Sequence, residues 1–407
     1  MAASAASPAT DCLCLAASDD LSCRFAARVF RRRALGPHDV LLAMRFCGIC
    51  HTDAHVAAGH LVGVRTRHAP CVPGHELAGE CVAIGTAVTR VRVGDGVGVG
   101  CLVDSCGECA ACGAGEEQHC KKSVGTYNAV ASERAANAPG EVAHTLGGYT
   151  TRFVVHERFA VIVPRGFPLE FVGPIMCAGT TLFDPLRRFG AAAGSRVGVV
   201  GLGGLGVMGL KLAAALGCEV TAVTSSAAKA DLARRCGAAH VVVSGSAADM
   251  AAARGSLDLV LNTVSVEHDY DAYTQLLKPG AGRHVILGVN SAMGALSILG
   301  GPTTRLCSSM IGGVECSQAV LDLCAKHGIR PEITVIPVDG IAGAYEDLSR
   351  GNVGGTRYVL DLATLDASAA ERLDKLPAPA LAPYSSGMNY LTIVQTLVGM
   401  FLWRSHV

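Results

Sequence analysis

This 407-residue chain has no excess of either charge: 34 Lys and Arg stand against 34 Asp and Glu, for a formal net charge of zero. Such a balance argues against a polyanionic partner such as nucleic acid. Runs of one sign are short; the longest, Arg31-Arg32-Arg33, reads as a solvated loop or strand end. Aromatics are scarce, at 5%, and the single tryptophan is Trp403. The opening stretch MAASAASPATDCLC lacks a basic segment followed by an apolar one, so it does not read as a secretory leader. No repeat of solenoid period is present. The apolar core of the tail, Leu391 to Trp403, is shorter than the ~20 residues of a membrane-crossing helix and contains Gln395 and Gly399.

What is abundant is cysteine, at 18 residues, and glycine, at 49, in a chain that is half apolar. Length and composition predict a large core and more than one domain. Without a leader, reduced thiols in a cytoplasmic compartment are expected, with clustered ones serving metal. Cys106, Cys109, Cys112 and Cys120 form a C-x2-C-x2-C-x7-C loop. Thiols three residues apart reach one ion from a tight turn, and four fill a tetrahedral shell, which favours zinc. A shell closed by protein leaves no place for substrate, so this zinc would be structural. An iron–sulfur cluster or coincidence is the alternative. Lys121 and Lys122 follow Cys120 directly, where they would offset thiolate charge or serve as ordinary surface lysines.

A second constellation is dispersed. CGICHTDAH runs from Cys47 to His55, PGHE from Pro73 to Glu76, and MCAG from Met176 to Gly179. A catalytic zinc takes about three protein ligands and keeps an open position. Cys50, His75 and Cys177 would supply two thiolates and an imidazole, with Glu76 beside the ion. Asp53 would hold the far ring nitrogen of His75.

A third signal lies in SRVGVVGLGGLGVMGLKLAAALG, Ser195 to Gly217. Arg196–Val200 reads as a buried parallel strand and Met208–Leu216 as a helix. Between them Gly201, Gly203 and Gly206 spell G-x-G-x-x-G, with Gly204 and Leu205 at the helix start. That context marks a dinucleotide site. The next strand, Glu219–Val223, leads into Thr224, Ser225 and Ser226, with Lys229 one turn on, where NAD-binding proteins carry an acid. Hydroxyls and an ammonium suit a 2′-phosphate, which predicts NADP(H). Further strand candidates are His240–Val243, Leu257–Leu261 and His284–Val289, giving a doubly wound α/β sheet over residues 165–310. Residues 21–164 are rich in short β-type runs and glycine turns, which suits a β-rich domain carrying both zinc sites.

Taken together, CGICHTDAH, PGHE, VGDGVGVG, the four-cysteine loop, GGYTTRFVV, CAGTT and GVVGLGGLGVMGLKLA resemble the zinc-dependent medium-chain alcohol dehydrogenases, and among them the NADP-dependent branch similar to cinnamyl alcohol dehydrogenase. The resemblance runs from about Leu21 to Asp361. It implies a GroES-like catalytic domain, residues 21–164 and 311–362, split around a Rossmann NADP-binding domain, residues 165–310. It assigns the catalytic zinc to Cys50 rather than Cys47, with His75, Cys177 and Glu76, so that each chain holds two zinc ions. Thr52 is implied to contact the reacting oxygen, His55 and secondarily His51 to pass its proton towards solvent, and Thr181 to lie near the nicotinamide. The implied reaction is reversible hydride transfer between NADP(H) and a primary alcohol or aldehyde, by a homodimer acting on a small molecule. Gly125 and Met310 stand where lignin-type members carry aromatic residues, which points to a substrate range broader than cinnamyl compounds. The rival readings are a zinc-free quinone or enone reductase of the same superfamily and a nonenzymatic NADP-binding scaffold.

Outside the resemblance lie an N-terminal extension, residues 1–20, and a C-terminal linker and apolar tail, residues 363–407. The tail reads first as a helix packed on the protein or a subunit, with a membrane contact as the alternative. Ser405-His406-Val407 bears a faint likeness to a peroxisomal address.

Overall fold

The computed structural model describes residues 9–59, 68–138, 140–266, 268–288, 305–351 and 355–381. The described residues divide between two units. One is built from Met1–Leu61, Arg65–Thr180 and Ile311–Ala382, and the body of the other is Thr181–Met310.

In the first unit the apolar strand Asp39–Gly48 is the hub of a seven-stranded sheet. Leu77–Ile84 pairs antiparallel on one side and Arg357–Asp361 on the other, and Arg152–His156 also pairs with it. The register sets Cys47 opposite both Leu77 and Leu360. Cys50, His75 and Arg357 each lie two or three residues outside those pairs, so one end of the sheet gathers them. This pairing is also why the unit is discontinuous in sequence: its core strand needs a partner from the far end of the chain.

The segment Val172–Pro174 continues into a π-helical turn, Ile175–Gly179, wholly buried. Gly173 lets it come this close: a Cβ there would lie 2.2 Å from the carbonyl oxygen of Glu76. π-turns concentrate at functional sites, and this one presents Cys177. The first unit accordingly runs on to Thr180, beyond the expected boundary at residue 164.

Two segments assigned from sequence to the margins belong to this core. Thr10–Ala17 pairs antiparallel with Phe25–Arg32 and buries Cys12, Cys14, Leu15, Ala16 and Ala17. The residues after 362 form a short turn and the helix Ala369–Asp374, which packs on Phe25–Arg32. Ala369 and Leu373, spaced by four, supply its buried face, and Leu365 is buried just before it. The segment expected to begin as a linker at residue 363 therefore starts with a turn and a helix, and it is described as far as residue 381. The apolar tail lies outside the described residues. Among the described residues, no helix is long and apolar enough to cross a membrane.

The second unit holds a six-stranded parallel sheet in the order His240–Val243, Glu219–Thr224, Arg196–Val200, Leu259–Asn262, Arg283–Ile286, Leu306–Ser308. Numbered along the chain this is 3-2-1-4-5-6, the doubly wound order that binds dinucleotides where the winding reverses. The near-continuous Val, Leu and Ile runs of the inner strands fit burial on both faces. The sixth strand carries no such signal: Leu306-Cys307-Ser308 is short, half-buried and at the edge. The strand expected to reach Val289 ends at Ile286, and Val289 itself lies outside the described residues.

Candidate metal centres and nucleotide site

Cys50 precedes the helix His51–Ala57, and Asp53 in its first turn accepts the Cys50 amide at 3.0 Å. The same carboxylate accepts Nδ1 of His75 at 3.1 Å and the amide of Gly74 at 3.2 Å. Asp53 thereby ties the Cys50 loop to the His75 loop and leaves Nε2 of His75 free for another partner. Ligand atoms of Cys50, His75, Glu76 and Cys177 all lie within 4.8 Å of one another.

The donor set and its electrostatics fit a cation. Two sulfurs and an imidazole match zinc chemistry. Glu76 is fully buried; one oxygen meets the guanidinium of Arg357, while Oε2 is buried with no hydrogen-bond partner. A buried, unpartnered carboxylate oxygen on a residue of such a cluster fits a site that takes a cation. Burial lifts Glu76 to about 7, against the opposing pull of Arg357. The neighbouring Cys177, and after it His75, hold the Cys50 thiol well below the usual thiol range.

The expected proton-relay residues sit on the same helix. Thr52 Oγ1 is 3.7 Å from Cys50 Sγ. His51 donates Nε2 to the carbonyl of Leu348 at 2.8 Å, so that nitrogen is spent on a backbone anchor. His55 is half-buried, its ring 6.2 Å from that of His51.

In the four-cysteine loop the sulfurs of Cys106–Cys112, Cys109–Cys112 and Cys106–Cys120 are 3.8, 3.6 and 3.5 Å apart. A tetrahedron of sulfurs around zinc has edges of about 3.8 Å, given metal–sulfur bonds near 2.3 Å. Backbone amides of Cys106, Cys109 and Lys122 point at the sulfurs from 3.3 to 3.5 Å. Amides of Glu108 and Cys109 hold the Cys106 thiol down to about 6. The side chains of Lys121 and Lys122 are exposed. All eighteen cysteines lie among the described residues, and none is bridged.

The three glycines of the fingerprint stand in different surroundings. Gly201 turns the chain with φ +89°. Gly203 has open space where a Cβ would stand, as a cradle for a pyrophosphate requires. Gly206 opens the helix Gly204–Ala215 against the turn: a Cβ there would be 1.8 Å from the Gly201 carbonyl. At the end of the strand Glu219–Thr224, Thr224 is buried and its hydroxyl accepts the Ser226 amide at 3.2 Å. Ser225 is exposed, and Lys229 Nζ donates to the carbonyl of Leu202 at 3.0 Å, tying this turn to the glycine loop. Thr181 is buried at the start of the helix Thr180–Arg188.

Four residues at the metal cluster escaped the sequence reading. Arg357 meets Glu76 across 281 positions, a separation no local pattern exposes. Tyr149 donates to Asp53 at 3.1 Å; it lies in the GGYTTRFVV motif, which marked the position without its role. Tyr127 stacks on His75 at 5.8 Å. Cys101 brings a third sulfur to Cys177, whose thiol is pushed well above its usual range by Cys101 and Cys50 together.

The sequence matches the family described as alcohol dehydrogenase GroES-like domain over residues 36–165, and that described as zinc-binding dehydrogenase over residues 204–326. Among relatives, an aldehyde reductase of Escherichia coli is 42% identical over 350 residues, covering 82% of this chain and 93% of its own. An NADP-dependent alcohol dehydrogenase C of Mycolicibacterium smegmatis is 42% identical, again over 82% and 93%. Among solved structures, a cinnamyl alcohol dehydrogenase of Sorghum bicolor superposes with a TM-score of 0.78 at 37% identity, covering 87% and 98% of the two chains. The Helicobacter pylori enzyme complexed with NADP(H) gives 0.76 at 33% identity, over 87% and 99%.

Proposed function

Because the chain belongs to the zinc-binding alcohol dehydrogenase family, we propose that it is an NADP(H)-dependent alcohol dehydrogenase acting as an aldehyde reductase. The observation that carries the reading is the convergence of Cys50, His75, Glu76 and Cys177, with one buried oxygen of Glu76 left without a hydrogen-bond partner. Held there, zinc would supply a Lewis acid for the substrate oxygen, while bound NADP(H) would supply the hydride chemistry.

The chain's own residues do the remaining work. Asp53 orients His75, and Arg357 restrains one oxygen of Glu76. We assign Thr52 to hold the proton exchanged with the substrate oxygen, on the strength of its closeness to Cys50 Sγ. His55, half-buried and one turn on, is assigned to pass that proton to solvent. His51 has the weaker claim, since Nε2 is already committed to Leu348.

A second zinc is assigned to Cys106, Cys109, Cys112 and Cys120, supported by sulfur spacings near those of a tetrahedron. NADP(H) rather than NAD(H) is supported by Thr224, Ser225 and Ser226 in place of an acid, with Lys229 alongside. Thr181 is assigned to the nicotinamide end. Gly125 and the exposed Met310 offer no aromatic wall, which favours a broad range of aldehydes over cinnamyl compounds alone. A homodimer in a cytoplasmic compartment completes the proposal, the second point supported by unbridged cysteines. A zinc-free quinone reductase would have no use for either cluster.

The test is a panel of aliphatic, benzylic and cinnamyl aldehydes assayed with NADPH and with NADH. The expected result is reduction across the panel with kcat/KM favouring NADPH. Preference for NADH would remove the phosphate assignment, and inertness towards every aldehyde would remove the activity.

A further inference from the structure

Asp53 is completely buried and accepts four hydrogen bonds, divided evenly between its oxygens. Oδ1 takes His75 Nδ1 and the Gly74 amide; Oδ2 takes the Cys50 amide and the phenol of Tyr149. Three of these donors come from the two loops that carry the metal ligands. The fourth comes from elsewhere in the chain, 96 residues on.

Tyr149 is itself fully buried and held from several directions. Its amide donates to the Pro73 carbonyl at 3.1 Å, so backbone and phenol bracket the Pro73–His75 loop. Its ring lies against Gly74, where a Cβ would come within 2.7 Å of Cδ1. Its hydroxyl is 3.4 Å from that of Tyr345, also fully buried, and Phe25 meets the Tyr345 ring edge-on at 5.2 Å.

A buried phenol costs free energy unless its hydroxyl finds a partner, and a phenylalanine would fill the same space. The tyrosine therefore does something the ring alone would not. Without its phenol, Oδ2 keeps one amide, and the carboxylate loses the contact that sets its roll about the side chain. His75 takes its ring orientation from that carboxylate.

We propose that Tyr149, backed by Tyr345, is a positioning residue for the catalytic metal: its phenol locks the Asp53 carboxylate, and through it the face His75 presents to the ion. The proposal rests on the assignment of zinc to Cys50, His75 and Cys177.

The experiment compares wild type, Tyr149→Phe and Tyr345→Phe as intact proteins loaded with zinc or cobalt. Release of metal to a chromogenic chelator is followed, together with the visible absorption of the cobalt forms. Tyr149→Phe should release the catalytic ion about tenfold faster and shift the cobalt bands. Release from the four-cysteine loop should not change, and Tyr345→Phe should move the same readouts less. Unfolding midpoints in urea separate this from a packing defect, which would lower stability without moving the cobalt bands. A Tyr149→Phe protein that holds two metals with wild-type release and spectrum overturns this proposal alone. A wild type that binds metal only in the four-cysteine loop overturns the functional reading and this proposal together.

Discussion

Glu76 and Arg357 show how much of the site depends on single side chains. Glu76 is fully buried and the Arg357 side chain nearly so, and together they form an ion pair within the candidate metal cluster. Gly48 makes room for it: a Cβ there would lie 2.0 Å from Glu76 Oε2. A buried pair contributes little net stability, but removing Arg357 leaves Glu76, already lifted to about 7, either to take up a proton or to hold an unpaired charge in a place water cannot reach. Arg357→Leu should therefore destabilise the protein by about 3 kcal/mol or more, read from urea unfolding. A loss below about 1 kcal/mol would mean that the pair behaves like a surface contact.

Single residues also mark the limits of reading from sequence. That Cys50, His75 and Cys177 would gather was legible because metal chemistry admits few residue types, and their motifs are distinctive. Arg357 was not, because an arginine serves many ends and its partner lies 281 positions away. Tyr149 was visible as part of a motif, but its hydrogen bond to Asp53 depends on how three loops fold together.

At the scale of elements, short-range chemistry translated well. The glycine turn after Arg196–Val200, the opening of the following helix and the four-cysteine loop each depend on contacts within a few residues. The loop gives a prediction at this scale. With the proposed zinc bound, four thiolates would hold a segment whose regular structure is the short turns Ala110–Gly113 and Glu117–His119. Structural zinc contributes directly to folding free energy. Cys109→Ser should release that zinc and lower the thermal unfolding midpoint, while the catalytic metal stays bound. Intact stability with loss of turnover alone would show that the two metal roles are interchanged.

Elements decided by tertiary contact were harder to read. Thr10–Ala17 is a strand of Cys, Leu and Ala whose burial follows from Phe25–Arg32 beside it and from Tyr149, whose carbonyl accepts the Leu15 amide at 2.8 Å. Composition alone left it an extension. Ala369–Asp374 was hidden by the Ala- and Pro-rich sequence around it, although Ala369 and Leu373 hold the spacing of a helix face. Leu306–Ser308 gains its strand character only by completing a parallel sheet.

Over the whole molecule, chain order and spatial order diverge in an instructive way. The first unit closes its sheet with Arg357–Asp361, from beyond the nucleotide-binding segment, and that strand delivers the cation beside Glu76. The candidate site therefore draws on segments from Cys50 to Arg357, whereas the four-cysteine loop is contiguous.

The central claim is that turnover depends on an ion held by Cys50, His75 and Cys177. Its most direct test is NADPH-dependent aldehyde reduction after the catalytic metal has been removed by a chelator, with zinc content measured in parallel. Activity should fall in step with loss of that ion and return when zinc is restored. Undiminished reduction by protein shown to lack it would contradict the account.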